Sequence, residues 1–421
     1  MTAVDGPRAA ALPAPAPVTP GLGPPAAASA TPWRRMRMWA AAHAVDDLYQ
    51  GLVPASVPYF VLERNSGYLA VSGLTLAAAL GSALPQPAIG LLVDRRRVGP
   101  LAAVGVVLAG LAGLVPGYAL TWSLVLLSGI GVAMFHPVAG RAARIDAGDS
   151  TAAMSIFAAG GSVGFFLAPV LAAPALATLG LAATALFVLP AVPVGFVLLR
   201  AHQRQAAAAK VAAVTTAGGK DLWSPFLLLT TVEIARSVLF VGVNTFIELY
   251  WLRHLHAGHT AAGAALACFL AGGVAGTLAG GRVADRAGAV RTVQAGTALA
   301  IPTLVALRAA PGPGTALLAA MTTGVAINIP FSVLVKLGQD YLPTRPGTAA
   351  GVTLGLAVSI GGLGVPGLGA IADTWGIAAV FSVLCLVPVP GLLLATFLPE
   401  VRPAPPQDAQ EPPAQERRRP A

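Results

Sequence analysis

The chain has 421 residues, of which 56% are hydrophobic and 10% charged, and a formal net charge of +9. An ordinary soluble domain carries about 25% charged residues, so a water-solvated globule is excluded. A nucleic-acid footprint is excluded as well, because the 26 Lys and Arg are distributed between apolar runs and do not form one basic patch.

In chain order, residues 1–32 are rich in Pro, Ala and Gly and bury too little apolar surface to fold, which predicts a disordered tail. Apolar runs then recur down the chain, unlike the single run of a cleaved signal. They predict helices at 36–62, 68–93, 99–117, 121–140, 150–173, 177–199, 224–252, 260–283, 290–308, 313–337, 346–371 and 376–398, each near the ~20 residues that cross a bilayer. Residues 399–421 predict a second disordered tail. The longest internal connection, 200–222, divides the pattern into an N-terminal six-helix half (33–199) and a C-terminal one (223–398). The predicted fold class is therefore an all-α membrane protein of twelve transmembrane helices. The lipid bilayer is its main partner, and the chain is expected to be a monomer.

Basic residues orient this map. Arg64, Arg253 and Arg308 fall in one set of loops, Arg236 lies inside a predicted helix, and the rest of the 26 fall in the other set or in the tails. Cytoplasmic loops are the ones enriched in Lys and Arg. Both termini are thus expected in the cytoplasm, with the protein in a bacterial inner membrane.

Within the first predicted helix, His43, Asp46, Asp47 and Gln50 share one face at i, i+3, i+4 and i+7. The two carboxylates lie about ten residues in, hence about 15 Å deep. An ionisable side chain at that depth is costly and marks an ion or substrate path. Gly90-x-x-x-Asp94-Arg95 follows the second helix and recurs as Gly281-x-x-x-Asp285-Arg286 after the eighth, an internal repeat in two equivalent halves. Its Gly lets helices approach, while Asp and Arg can form charge-assisted hydrogen bonds that latch one conformation. The fourth and tenth helices carry Phe135-His136-Pro137 and Asn328-Ile329-Pro330 at near-equivalent positions. In each, the Pro frees a backbone carbonyl that can line a cavity. In the seventh helix Glu233, Arg236, Phe240, Asn244 and Glu248 fall within an arc of about 120°. Arg236 faces either Asp47 across the cavity or Glu233 on its own helix.

Three local patterns carry no chemistry of their own. Gly160-Gly161-Ser162-Val163-Gly164 matches a hydrolase nucleophile elbow but lies in an apolar helix, where close helix packing explains it. Gly272-x-x-x-Gly276-x-x-x-Gly280 reads likewise as a packing face. His254, His256 and His259 have no Cys or carboxylate cluster beside them, and Cys268 and Cys385 lie apart in apolar runs. No metal and no cofactor is expected.

His43-x-x-Asp46-Asp47-x-x-Gln50, Phe135-His136-Pro137 followed by Arg141 and Arg144, Ser155-Ile156-Phe157, and Gly338-Gln339-Asp340-x-x-Pro343 together resemble the fosmidomycin-resistance branch of the major facilitator superfamily. The stretch from Gly347 through Gly351, Gly355, Gly361, Gly362 and Gly364 to Asp373 is similar too. The resemblance implies two six-helix halves around a central cavity lined by helices 1, 4, 7 and 10, with proton-driven efflux as the usual activity. It implies Asp47, ahead of Asp46, as the proton-coupling residue, and depth in the membrane makes Glu233 the next candidate. The substrate cavity would take His43, Gln50, His136, Arg236, Phe240, Asn244, Glu248 and Asn328. The Arg-x-x-Gln-Gly motif frequent in helix 4 of drug/proton antiporters is absent. The alternative activity is uptake of a sugar, metabolite or organic anion, with Arg236 binding the anion. A membrane-embedded enzyme would need a nucleophile or metal constellation such as His-Glu-x-x-His, and none is present.

Overall fold

The computed structural model describes residues 32–64, 68–95, 117–209 and 219–401. The predicted helix at 99–117, save its last residue, and nearly all of both tails lie outside them. In chain order the helices are α1 (Pro32–Arg64), α2 (Tyr68–Ala83), α3 (Pro85–Arg95), α4 (Tyr118–Ala147), α5 (Thr151–Leu179), α6 (Ala191–Ala209), α7 (Trp223–Arg253), α8 (His259–Ala287), α9 (Ala289–Arg308) and α10 (Pro313–Tyr341). They are followed by α11 (Pro346–Ala350), α12 (Ala357–Leu363), α13 (Val365–Trp375), α14 (Ile377–Leu384) and α15 (Pro388–Ala395). No strand occurs among the described residues. Nine of the helical stretches there are long and apolar enough to cross a membrane. Although α1 is long enough, it is not among the nine, because Arg34, Arg35 and Arg37 open it and Asp46 and Asp47 sit midway along it.

Four local outcomes differ from the periodicity. The helix predicted at 177–199 instead begins with a 3₁₀ segment, Gly180–Val188, and becomes α-helical only at Ala191. Gly180, at φ 60, ends α5 in a conformation that L side chains rarely adopt. Helix α6 then continues to Ala209, into the stretch read as linker. The run 346–371 is a broken rod, with a π-helical stretch at Gly351–Leu356 and a break at Gly364 before Pro366. The last run breaks at 385–387, where Pro388 opens α15, since Pro cannot supply the N–H that continues a helix.

Small-residue seams hold each half together. In the N-terminal half α5 packs on α1, and a Cβ built on Gly160 would come within 2.7 Å of the Ala40 Cα. In the C-terminal half α8 packs on α10, and a Cβ on Gly276 would come within 2.9 Å of the Val325 Cα. Backbones approach this closely only where a side chain is absent, the usual solution when apolar packing against lipid gives no preference between neighbours. One apolar core fills the first half around Trp39, Phe135, Met154 and Phe157, and another fills the second around Phe246, Tyr250, Trp251, Phe269 and Phe381. Val335, Ala350 and Leu354 of the second half pack into the first core, so the halves are joined by apolar contact as well as by polar bonds.

Candidate functional site: a buried polar centre between the halves

Midway along α1, the i, i+3, i+4 spacing brings His43, Asp46 and Asp47 to the face that meets α4 and α5. All three are buried, with Asp46 fully so. Opposite them α4 presents His136, one residue before Pro137. The Nε2 atoms of His43 and His136 are 3.2 Å apart. Asp47 lies 3.2 Å from each, through Oδ2 to His43 and Oδ1 to His136. The Gln50 amide donates to Asp47 Oδ1 at 2.9 Å. Both rings are held from behind: His43 Nδ1 meets the Phe157 carbonyl at 2.8 Å, and His136 Nδ1 meets the Val132 carbonyl at 3.2 Å. His43 also stacks on Phe157, with ring centroids 4.4 Å apart. Asp46 Oδ2 is 3.7 Å from His136 Nδ1, and neither of its oxygens has a hydrogen-bond partner among the described residues.

On the far side of the cavity, α7 places Arg236 in a bidentate pair with Glu233, at 2.8 Å from Nε and 2.6 Å from Nη2. The guanidinium carbon lies 4.5 Å from the Phe331 ring centroid. Of the two partners left open for Arg236, this state has Glu233. The cavity is lined by His43, Asp47, Gln50, His136, Arg236, Phe240 and Asn328, as the sequence suggests, and by Gln86, Ser162, Phe165, Phe331, Leu354 and Ser359, which it does not. The space open to the centres of water molecules is about 50 Å³, room for a few waters.

Two residues assigned to the cavity do not reach it. Asn244 and Glu248 lie one and two turns beyond Phe240, and at 1.5 Å of rise per residue they leave the cavity's level although they share its helix face. Glu248 is exposed. Depth, which angular periodicity ignores, separates them from Arg236. The missed residues Gln86 and Ser162 sit in apolar helices with no charge to single them out. The sequence also suggested no metal, yet the ligand atoms of His43, Asp47 and His136 all lie within 4.8 Å of one another.

At the end of the bundle where α1 begins, the two halves exchange matching bonds. Asp94, at the end of α3, accepts from the Gly347 and Thr348 N–H groups at 2.8 and 2.7 Å and from the Thr348 hydroxyl at 2.7 Å, at the start of α11. Asp285, at the end of α8, accepts from the Thr151 and Ala152 N–H groups at 2.6 and 3.1 Å and from the Ser150 hydroxyl at 2.9 Å, at the start of α5. Each carboxylate caps a helix N-terminus of the other half, where free N–H groups and the helix dipole favour negative charge. Gly90 and Gly281 make room, since a Cβ on either would fall within 2.8 Å of the opposing backbone. Arg95 and Arg286 are exposed and take no part in these bonds. Two further links appear only in three dimensions: Arg144 to Asp340 at 2.7 Å and Gln339 Nε2 to the Gly140 carbonyl at 3.0 Å.

The family model described as Major Facilitator Superfamily matches residues 40–366 and 226–420. The chain is 29% identical over 374 residues to an uncharacterized MFS-type transporter, YfnC, of Bacillus subtilis (strain 168), covering 85% of this chain and 90% of that one. It is 28% identical over 375 residues to the fosmidomycin resistance protein of Escherichia coli (strain K12), covering 86% and 91%. Among solved structures, the fucose:proton symporter FucP of E. coli superposes with a TM-score of 0.68 at 13% identity, covering 88% of this chain and 100% of that one. Two equivalent halves, a buried polar centre between them and a family match running through both make this chain a multi-pass membrane transporter that belongs to the Major Facilitator Superfamily.

Proposed function

We propose that the protein is a proton-coupled exporter of a small solute, working by alternating access in a bacterial inner membrane. The observation that carries this reading is Asp47, a carboxylate buried at mid-helix against two imidazoles on the wall of the cavity between the halves. Groups that exchange protons, placed where the two halves meet, tie proton occupancy to which side the cavity faces. Asp46 and the Glu233–Arg236 pair provide further exchangeable charge at the same level. Export is favoured by the likeness to the fosmidomycin resistance protein, which spans most of both chains.

The helix-capping bonds of Asp94 and Asp285 close the end where α1 begins. With both termini cytoplasmic, this is the state whose cytoplasmic side is shut. Breaking two caps and the Arg144–Asp340 bridge opens it. The test is a transport screen in proteoliposomes with an imposed pH gradient. A solute that accumulates in the direction opposite to proton flow supports the reading, and one that moves with the protons replaces export by uptake.

A further inference from the structure

We propose that His43, His136 and Asp47 form a binding site for one divalent transition-metal ion. The inference rests on which atoms face each other. Each ring directs Nδ1 at a backbone carbonyl, His43 at Phe157 and His136 at Val132, and a carbonyl only accepts. Nδ1 of each ring is therefore the protonated nitrogen, and in the neutral imidazole Nε2 then presents a lone pair. The two Nε2 atoms stand 3.2 Å apart and each meets a different Asp47 oxygen at 3.2 Å, so in that form electron-pair donors from three residues converge. Such a set is stabilised by a cation at its centre.

The spacing suits a metal ion. Two ligands at about 2.0–2.2 Å from a tetrahedral zinc stand roughly 3.3–3.6 Å apart; the two Nε2 atoms are 3.2 Å apart and each has an Asp47 oxygen at 3.2 Å, Oδ2 for His43 and Oδ1 for His136, and one donor atom from each residue lies within 4.8 Å of the others. Imidazole nitrogen with one carboxylate selects zinc, cobalt, nickel or iron over calcium or magnesium. The surroundings supply what a metal's outer shell supplies. Carbonyls fix both tautomers, the Gln50 amide orients the carboxylate at 2.9 Å, and Asp46 adds a second carboxylate 3.7 Å behind His136. Arg236 on the cavity wall is already neutralised by Glu233. Three protein ligands leave an open position toward the cavity, whose space suits an ion with a few waters and not a drug-sized molecule.

Beside the triad, α5 brings Gly161 against His43 and Asp47. A Cβ there would stand 2.7 Å from His43 Nε2 and closer still to Asp47 Oδ2, so the two side chains would have to shift. Gly161→Ala therefore displaces two of the three ligands while keeping their chemistry.

Binding is read on purified, detergent-solubilised protein at rest, so its outcome is independent of the direction and coupling proposed above. Zinc titrated into the full chain is expected to bind saturably at one ion per chain. Cobalt is expected to give the visible absorption of a low-coordinate nitrogen and oxygen site. His43→Gln, His136→Gln, Asp47→Asn and Gly161→Ala should each weaken zinc by more than the ~10–100-fold that loss of an outer-shell partner costs. Each variant is compared at matched helicity and monodispersity. His254→Asn/His256→Asn, in the loop after α7, should bind as the parent does. Absence of saturable zinc binding in the parent chain overturns the proposal and leaves the triad to protons. Binding that is lost in the loop variant and kept in the triad variants overturns it as well.

Discussion

At Asp47, two imidazoles and an amide converge on one carboxylate, and the substitution that separates charge from shape there is Asp47→Asn. It keeps one acceptor oxygen and the side-chain volume and removes the ionisable carboxyl. In proteoliposomes it should abolish solute accumulation driven by a pH difference while leaving substrate binding or exchange measurable. Accumulation at the parent rate would move the coupling role to Asp46 or Glu233. Asp46→Asn should be milder, since Asp46 does not line the cavity. The Glu233–Arg236 pair tests a different property. Removing one partner of a buried pair strands the other charge, at a cost of about 3–5 kcal/mol, whereas removing both costs far less. Thermal stability in detergent should therefore fall more in Arg236→Gln than in Glu233→Gln/Arg236→Gln. If the double variant is the less stable one, Glu233 has a stabilising partner other than Arg236 in the resting state.

At the scale of elements, the two helix caps are the proposed latch, and they differ in exposure. Asp285 is exposed, while Asp94 is part-buried among Gly347, Thr348 and Val93. Hydrogen bonds to a charged group contribute about 1.5–3 kcal/mol, and water screens the exposed one more. Asp94→Asn should shift the balance toward the state open at that end by about 1–2 kcal/mol, roughly 5–30-fold in population. Asp285→Asn should shift it less. Distance measurements between labels on α3 and α11, and on α5 and α8, read both shifts. Unchanged distributions in both variants would remove the latch role. Gly90→Ala is expected to act in the same direction as Asp94→Asn, because its methyl would meet the Gly347 carbonyl oxygen at 2.6 Å.

For the whole molecule, the distribution of basic residues predicts the orientation. In a variant lacking Cys268 and Cys385, a cysteine at Lys220 should be shielded from an impermeant thiol reagent in intact cells. One at Thr260 should react, and both positions are exposed on the protein surface. The opposite pattern would invert the assignment of the latched end, and with it the side on which this state is closed. The closed end owes its integrity to bonds between residues far apart in the chain, so no fragment of either half alone should reproduce the caps.

Much of this was readable along one dimension. Apolar length marks most of the spans, because lipid demands that each backbone satisfy its own hydrogen bonds, and a helix does so locally. The repeat of Gly90 and Asp94 as Gly281 and Asp285 marks two equivalent halves, and the His43, Asp46, Asp47 spacing marks an inward face, because a helix converts sequence interval into direction. What periodicity does not carry is depth and partner. Glu248 shares a stripe with Arg236 yet leaves the cavity by its rise along the axis. Arg95 stands beside Asp94 yet makes no cap bond, because the partner at that end is a helix N-terminus of free N–H groups and not a charged side chain. His43, His136 and Asp47 form one cluster only because α1 and α4 pack at the level where both carry their polar residues. That level is set by the tertiary fold, since contacts between helices far apart in sequence depend on how two surfaces dock, and neither surface encodes that alone.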